Sequence, residues 1–306
     1  MKLYNSLILI AFAIFSLSIN AGVNHSKVIS QDVALKLSDY GFFTNLSKQI
    51  PTEGVLPYDL NSALFSDYAD KLRFVYVPAG GFAEYHPDEV FDFPTGSVLI
   101  KTFAYLNDFP ESELDPQLLE TRLLIRHDDG WKNVSYIWNK EQTDAYKSIA
   151  GKTISTQFVN EYGDMQDIRY RVPNINQCKE CHQSGKEIKP IGPKARNLNH
   201  DYDYENISMN QLDRWADESW IDSQISYNTM PDWSDASIDL DSRARAYLDI
   251  NCGHCHIPGG SADTTGLYLN FTEDRSEHIG IYKKPVAAGR ASNNFKYSIK
   301  PGAPSS

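Results

Sequence analysis

The chain has 306 residues, of which 41% are hydrophobic, so it is long enough for more than one domain with a sizeable core. Its 40 acidic residues outnumber its 29 basic ones, which gives a formal net charge of −11 at pH 7. This balance disfavours nucleic acid and anionic membranes as binding partners, and it favours a basic protein partner.

The first 21 residues have the features of a secretory signal peptide. Lys2 precedes an apolar run from about Leu7 to Ile19, and the small residue Ala21 ends it. An uncleaved anchor helix fits less well, because the run is shorter than the ~20 residues that a membrane span needs. We expect cleavage, no later membrane span, and export to the periplasm or the outside of a bacterium.

A short N-terminal segment, 22–39, is followed by a region, 40–172, that is rich in β-branched and aromatic residues. Turn signals such as PAGG and DDG separate its candidate strands. These are KLRFVYV (71–77), SVLIKTFAYL (97–106), LLETRLLIRHDD (118–129), WKNVSYIWN (131–139), KTISTQF (152–158) and DIRYRV (167–172). The spacing predicts an antiparallel sandwich or barrel-like domain, which at roughly 130 residues can bury its own core.

Two C-x-x-C-H motifs follow, CKECH at 178–182 and CGHCH at 252–256, and they contain all four cysteines of the chain. An even cysteine count in an exported protein is typical of disulfides. Zinc binding by two C-x-x-C pairs and a thioredoxin-like redox pair are further alternatives. None of these explains why a histidine directly follows each pair.

Covalent haem attachment accounts for every residue of both motifs. Two thiols add to the two vinyl groups of a haem, and the adjacent histidine is the proximal iron ligand. The sequence therefore predicts two haem c groups. The covalent cysteines are Cys178, Cys181, Cys252 and Cys255, and the proximal ligands are His182 and His256.

The motifs begin at residues 178 and 252, a separation that suits two small helical units. We predict that 173–238 forms a first haem c module and 239–306 a second. The predicted fold is thus multidomain: an antiparallel β domain followed by two small α-helical cytochrome c-like modules. The Gly-Pro that follows the first motif resembles the Gly-Pro of class I cytochromes c. In those proteins the proline carbonyl accepts a hydrogen bond from the proximal imidazole, and we expect the same of Pro193.

The chain as a whole resembles a family of exported di-haem c-type cytochromes that are often encoded beside a parallel β-helix repeat protein. The matching stretches include LPYDLNSALFSDYADKLRFVYVP, VFDFPTGSVLIKTF, PIGPKARNLN, QLDRWA, ARAYLDINCGHCHIPGG and PVAAGR. The resemblance implies haem binding, electron transfer and a β-helix repeat protein as a partner. Relatives continue beyond the stretch that matches IKPGAPSS, so the second module is expected to be truncated.

The sixth iron ligands are less defined by the sequence. For the first haem, Met230 in NTMPDW is the favoured distal ligand, with Met209 and His200 as rivals. No methionine follows the second motif, so we expect the second iron to lack a methionine ligand. His254 is expected to point away from that iron, which leaves His278 as the remaining candidate.

The sequence leaves two functions open. The first is an electron carrier that exchanges electrons with a redox partner, for which the acidic surface favours a basic protein. The second is a haem-dependent oxidoreductase, either peroxidase-like or oxidising an organic donor, with one open iron and a substrate-binding β domain. An enzyme of this kind would have an iron with a free axial position, whereas an electron carrier would have both axial positions of each iron filled.

Overall fold

The computed structural model describes residues 22–106, 116–160, 162–222, 227–286 and 295–302. The predicted signal peptide lies outside these ranges. In the part of the chain that they cover, no helix combines the length and the apolar character that crossing a bilayer requires.

Short strands make up most of the regular structure. In chain order they are β1 Phe43–Asn45, β2 Ile50–Pro51, β3 Val55–Tyr58, β4 Asp70–Tyr76, β5 Val98–Tyr105, β6 Gln117–His127, β7 Gly130–Trp138, β8 Ala145–Ser148, β9 Lys152–Val159, β10 Met165–Val172, β11 Gln183–Ser184, β12 Glu187–Ile188, β13 Asp201–Tyr204 and β14 Ile207–Asn210. The α-helices are α1 His25–Val28, α2 Ile175–His182, α3 Ala195–Leu198, α4 Gln211–Asp217 and α5 Leu240–Leu248. A π-helical turn, Asp249–Gly253, continues α5.

The centre of the molecule is a six-stranded antiparallel sheet in which β3 to β8 follow one another in chain order. The remaining strands form four separate antiparallel hairpins, β1–β2, β9–β10, β11–β12 and β13–β14. Sequential antiparallel pairing needs only short connections, which agrees with the turn signals between the strands.

Side chains of the sheet alternate between two buried faces. Phe74 and Ile100 belong to a core on the first face, where the N-terminal residues from Val28 to Phe42 cover the strands. Val75 and Leu99, the next residues along, belong to a second core on the opposite face. Because successive residues of a strand point to opposite sides, both faces of this sheet must be covered for the strands to be stable.

The second face is covered by the chain that contains the C-x-x-C-H motifs. Leu198 of α3, Leu212 and Trp215 of α4, and Ile250 of the π-helical turn pack into the same core as Val75. A third cluster joins the hairpin β9–β10 to the far end of the sheet. Residues on both sides of the predicted boundary at 172 therefore share one core.

This arrangement overturns the predicted fold class. The described part of the chain is mainly β, its five helices have four to nine residues each, and it contains no pair of small α-helical cytochrome modules. The physical reason is length: helices this short cannot enclose a core between themselves. They bury their apolar faces on the large sheet instead.

Candidate haem-attachment site

The first motif forms the end of α2. Asn174 caps this helix, since its side chain accepts hydrogen bonds from the backbone N–H groups of Asn176 and Gln177. Gln177 in turn accepts from the N–H of Asn174 at 3.0 Å, which completes a capping box. The helix holds Cys178 buried and Cys181 exposed, three residues apart and therefore on neighbouring positions of one face.

The hairpin β11–β12 returns the chain to His182 and orients its ring. The Nδ1 atom of His182 lies 2.8 Å from the carbonyl oxygen of Lys189, so Nδ1 carries the proton and donates it. The sequence had pointed to Pro193 for this role, but the carbonyl in the structure belongs to the residue before Pro190. Burial, aided by the nearby charges of Lys101 and Arg122, lowers the pKa of His182 to about 4.

The second motif begins inside the π-helical turn that extends α5. Asp239 caps α5 by accepting from the N–H of Ser242 at 3.0 Å. After the motif, the chain folds back tightly at Gly260, where an added Cβ would lie 2.4 Å from the carbonyl oxygen of Cys255. Only glycine permits this close approach, which draws the loop after the motif onto the second cysteine.

His256 is held in the same manner as His182. Its Nδ1 lies 3.1 Å from the hydroxyl oxygen of Thr265. That hydroxyl donates to the carbonyl of Ala262 at 2.7 Å, so its oxygen accepts the proton of the imidazole. Each of these two histidines thus has Nδ1 committed as a donor, which leaves Nε2 as the nitrogen that can bind a metal.

The structure brings the two motifs together, although they are distant in the sequence. The ligand atoms of Cys181, His254 and Cys255 all lie within 4.8 Å of one another. Cys255 and Ser261 both approach the carbonyl oxygen of Glu180, at 3.6 and 3.0 Å. All four cysteines are free thiols, and burial together with the neighbouring Cys255 raises the pKa of Cys181.

Asp249, just ahead of the second motif, connects its own turn to two other segments of the chain. Its carboxylate accepts from Arg196 at 3.0 Å and from the backbone N–H of Phe271 at 2.9 Å, and it is almost fully buried. Lys194 adds a weaker contact at 3.8 Å. Sequence reasoning missed this residue, since a single aspartate ahead of a motif has no spacing that distinguishes it.

Clefts lie beside α2 and beside the loop that follows the second motif. One of about 470 Å³ is lined by Lys179 and Glu180 of the first motif and by the loop residues Gly260 and Ser261. Another of about 340 Å³ lies between the sheet and α2, where Gln177 is among its lining residues. The first of these clefts therefore connects the first motif with the loop after the second.

Among the candidate distal ligands, the two histidines have side-chain partners. Met230 is buried and its backbone N–H donates to the carbonyl of Arg196 at 2.7 Å. His200 lies 2.9 Å from the side chain of Gln211, and Met209 lies on the hairpin strand β14. His278 contacts Glu273 at 3.0 Å. Met230 and its rivals stay predictions as iron ligands.

No protein-family model, curated protein or solved structure matches this chain. The chemistry of the site is consistent with haem attachment: it offers two pairs of free thiols, two imidazoles oriented through Nδ1, and a cleft between the first motif and the loop after the second.

Proposed function

We propose that this chain is an exported di-haem c-type cytochrome that transfers electrons. The observation that carries the proposal is the state of the two histidines that follow the cysteine pairs. Each has Nδ1 bound to a fixed acceptor, the Lys189 carbonyl or the Thr265 hydroxyl. Such a bond sets the tautomer and the ring orientation that an iron ligand needs.

The residues have defined roles in this proposal. Cys178 and Cys181 would hold one haem and Cys252 and Cys255 the other, through thioether bonds formed when each S–H adds across a vinyl group. His182 and His256 would bind the irons through Nε2. Bound haem supplies a centre that accepts and returns one electron. Because Cys181 and Cys255 are neighbours, the two attachment points lie in one region of the protein.

This reading does not depend on cytochrome modules. A C-x-x-C-H motif needs a helix end that sets the cysteine spacing, a partner for the histidine Nδ1, and space beside the thiols. Here α2 and the π-helical turn hold the cysteines, Lys189 and Thr265 are the Nδ1 partners, and a cleft adjoins the first motif. A redox partner, favoured to be basic, and a β-helix repeat protein are the proposed interaction partners.

Mass spectrometry of protein matured in a bacterial periplasm tests the proposal. We expect a mass increase of two haems that survives acid denaturation, because thioether bonds are covalent. The double variant Cys178→Ala/Cys181→Ala should keep one haem, since it leaves the second motif intact. An unmodified polypeptide, or one with two disulfides, would show that the proposal is wrong.

A thiolate metal site is a second candidate, favoured by the proximity of Cys181, His254 and Cys255. Two sulfurs and an imidazole are ligands that zinc prefers. The two readings exclude each other, because thioether formation consumes both thiols. Bound zinc in protein purified without haem, lost in His254→Ala but retained in His278→Ala, would favour the metal site.

A further inference from the structure

A cleft of about 1200 Å³ lies where the central sheet, the hairpin β9–β10 and the chain ahead of α5 meet. Lys71 of β4, Phe158 of β9, Asp167 of β10 and Trp233 represent these segments in its lining. A pocket for one small molecule typically has about 300–1,000 Å³, so this cleft has room for an extended ligand. None of the described residues that line it has a role in the proposed haem attachment.

Aromatic rings dominate the lining of this cleft. Six of the described lining residues are aromatic, namely Phe65, Tyr68, Tyr105, Phe158, Tyr162 and Trp233. Three of these rings form a stack, in which the centre of Phe158 lies 5.7 Å from that of Tyr68 and 4.9 Å from that of Tyr105. Tyr105 and Phe158 are buried, whereas Tyr68 is 68% exposed. The stack therefore gives an exposed ring a rigid, buried base.

The backbone of Tyr68 is held in an unusual conformation. Asp67 and Tyr68 have φ angles of 46° and 60°, in the left-handed region that residues other than glycine rarely adopt. The hydroxyl of Tyr105 donates to the carbonyl oxygen of Asp67 at 2.8 Å and so fixes this turn. Strained backbone persists only where the surrounding structure enforces it, and it is concentrated at binding sites.

Trp233 provides a further ring that is fixed in place. Its indole N–H donates to the carbonyl oxygen of Ala63 at 3.1 Å, and its ring packs edge-on against Tyr247. The Nε atom of Arg243 donates to the carbonyl oxygen of Trp233 at 2.9 Å. Both the side chain and the backbone of Trp233 are thus anchored, which lowers the entropy that ligand binding would otherwise cost.

Polar side chains share the lining with these rings. They are the carboxylates of Asp70 and Asp167, the amides of Asn160 and Gln166, the hydroxyl of Ser234 and the cations Lys71 and Arg243. Among the described residues, two carboxylates thus face two cations, so the lining has no net charge to select an ionic ligand. Exposed rings beside hydrogen-bonding groups suit a ligand with apolar faces and polar edges. A sugar ring has this character, because C–H groups cover its faces and hydroxyl groups project from its edges.

We propose that this cleft binds an uncharged oligosaccharide. Tyr68 and Trp233 pack against the C–H faces of sugar rings, and the carboxylates and amides bind the hydroxyl groups. A wholly apolar ligand would leave those polar groups without partners. A nucleic acid would be repelled by a protein of net charge −11. This binding role goes beyond electron transfer and does not depend on haem.

Isothermal titration calorimetry of the full-length protein with neutral hexasaccharides tests the inference. The probes are cellohexaose, xylohexaose, maltohexaose, laminarihexaose and mannohexaose, and at least one should bind. Tyr68→Ala should weaken that binding about tenfold, which is the size of effect expected from one lost stacking contact. Tyr162→Ala is a second variant in the cleft, and at 80% exposure this ring contributes little to folding.

Two variants serve as controls. Tyr68→Phe keeps the ring and should retain most of the affinity. Tyr282→Ala matches Tyr68→Ala closely, because Tyr282 is 58% exposed, has a φ of 53° and packs edge-on against another ring, Tyr297. Tyr282 does not line the cleft, so its loss should leave the affinity unchanged.

Three results would overturn the inference. The first is that no hexasaccharide binds. The second is binding that neither Tyr68→Ala nor Tyr162→Ala weakens, since the saccharide would then occupy another site. The third is binding of a proline-rich peptide in place of every saccharide, with loss in Tyr68→Ala, which would assign the cleft to a protein partner.

Discussion

At the scale of single residues, the hydroxyl of Thr265 controls the ring of His256. Its oxygen accepts from Nδ1 at 3.1 Å and from the backbone N–H of Leu267 at 3.2 Å, while its O–H donates to the carbonyl oxygen of Ala262. An acceptor on Nδ1 makes the imidazole a more basic ligand, which favours oxidised iron. The orientation of this histidine therefore depends on one side chain that lies outside the motif.

Under the proposed function, Thr265→Val should raise the midpoint potential of the haem held at the second motif, because Nδ1 of His256 loses its acceptor. A hydrogen bond of this kind contributes about 1 kcal/mol. The measurement is a redox titration followed optically, with the first haem as an internal reference. Thr265→Ser keeps the hydroxyl and should retain the wild-type potential. An equal shift in the serine variant would assign the effect to packing.

Residue patterns predicted the proposed attachment residues but not their surroundings. Cysteine spacing and an adjacent histidine can be read within five residues of sequence. The proximity of Cys181 and His254 cannot, since it depends on how α2 and the π-helical turn dock on the sheet. The placement of Arg73, Lys101 and Arg122 side by side is also invisible in the sequence, because it arises only when three strands pair in one register.

At the scale of elements, β-branched and aromatic composition predicted strands well where a strand is buried on both faces. The run 71–77 overlaps β4, and 97–106 contains β5. The sequence of α5, Leu240–Leu248, is less informative, since it does not show what the helix packs against. The modules were a wrong inference because the length of chain between motifs says nothing about which core its side chains join.

Helix α4 provides the clearest test of this shared core. Trp215 is fully buried and packs edge-on against Tyr58 and Phe93, which belong to the sheet half of the chain. We expect Trp215→Ala to lower the free energy of unfolding by about 3–5 kcal/mol. Unfolding of the sheet, followed by far-ultraviolet circular dichroism, and of the motif region, followed by haem absorbance, should shift together to lower denaturant concentration.

Ile149→Ala is the matched control, because this side chain is 63% exposed and its loss should change stability little. Two transitions that separate, with only the haem signal affected by Trp215→Ala, would mean that the motif region unfolds independently. That outcome would contradict the single core across the predicted boundary at 172.

At the scale of the whole molecule, the interior and the exterior differ in net charge. The chain has a formal net charge of −11, so negative charge predominates. Among the described residues, the buried basic side chains are Arg73 and Arg196 and the buried carboxylates are Glu120 and Asp249, so the buried charges balance. The acidic excess therefore lies on the exterior, which suits a basic partner.

The last prediction concerns that exterior. Electron exchange with a small basic redox protein should slow as salt is added, because screening shortens the range of attraction to about 8 Å at physiological ionic strength. A decrease of about tenfold between low and physiological salt is the scale of such steering. Stopped-flow absorbance of the haem bands measures the rate, and an uncharged small-molecule reductant is the control that should show little salt dependence. A rate that rises with salt would mean that this chain repels the basic protein. Its own encounter surface would then be basic, and its natural partner would be acidic.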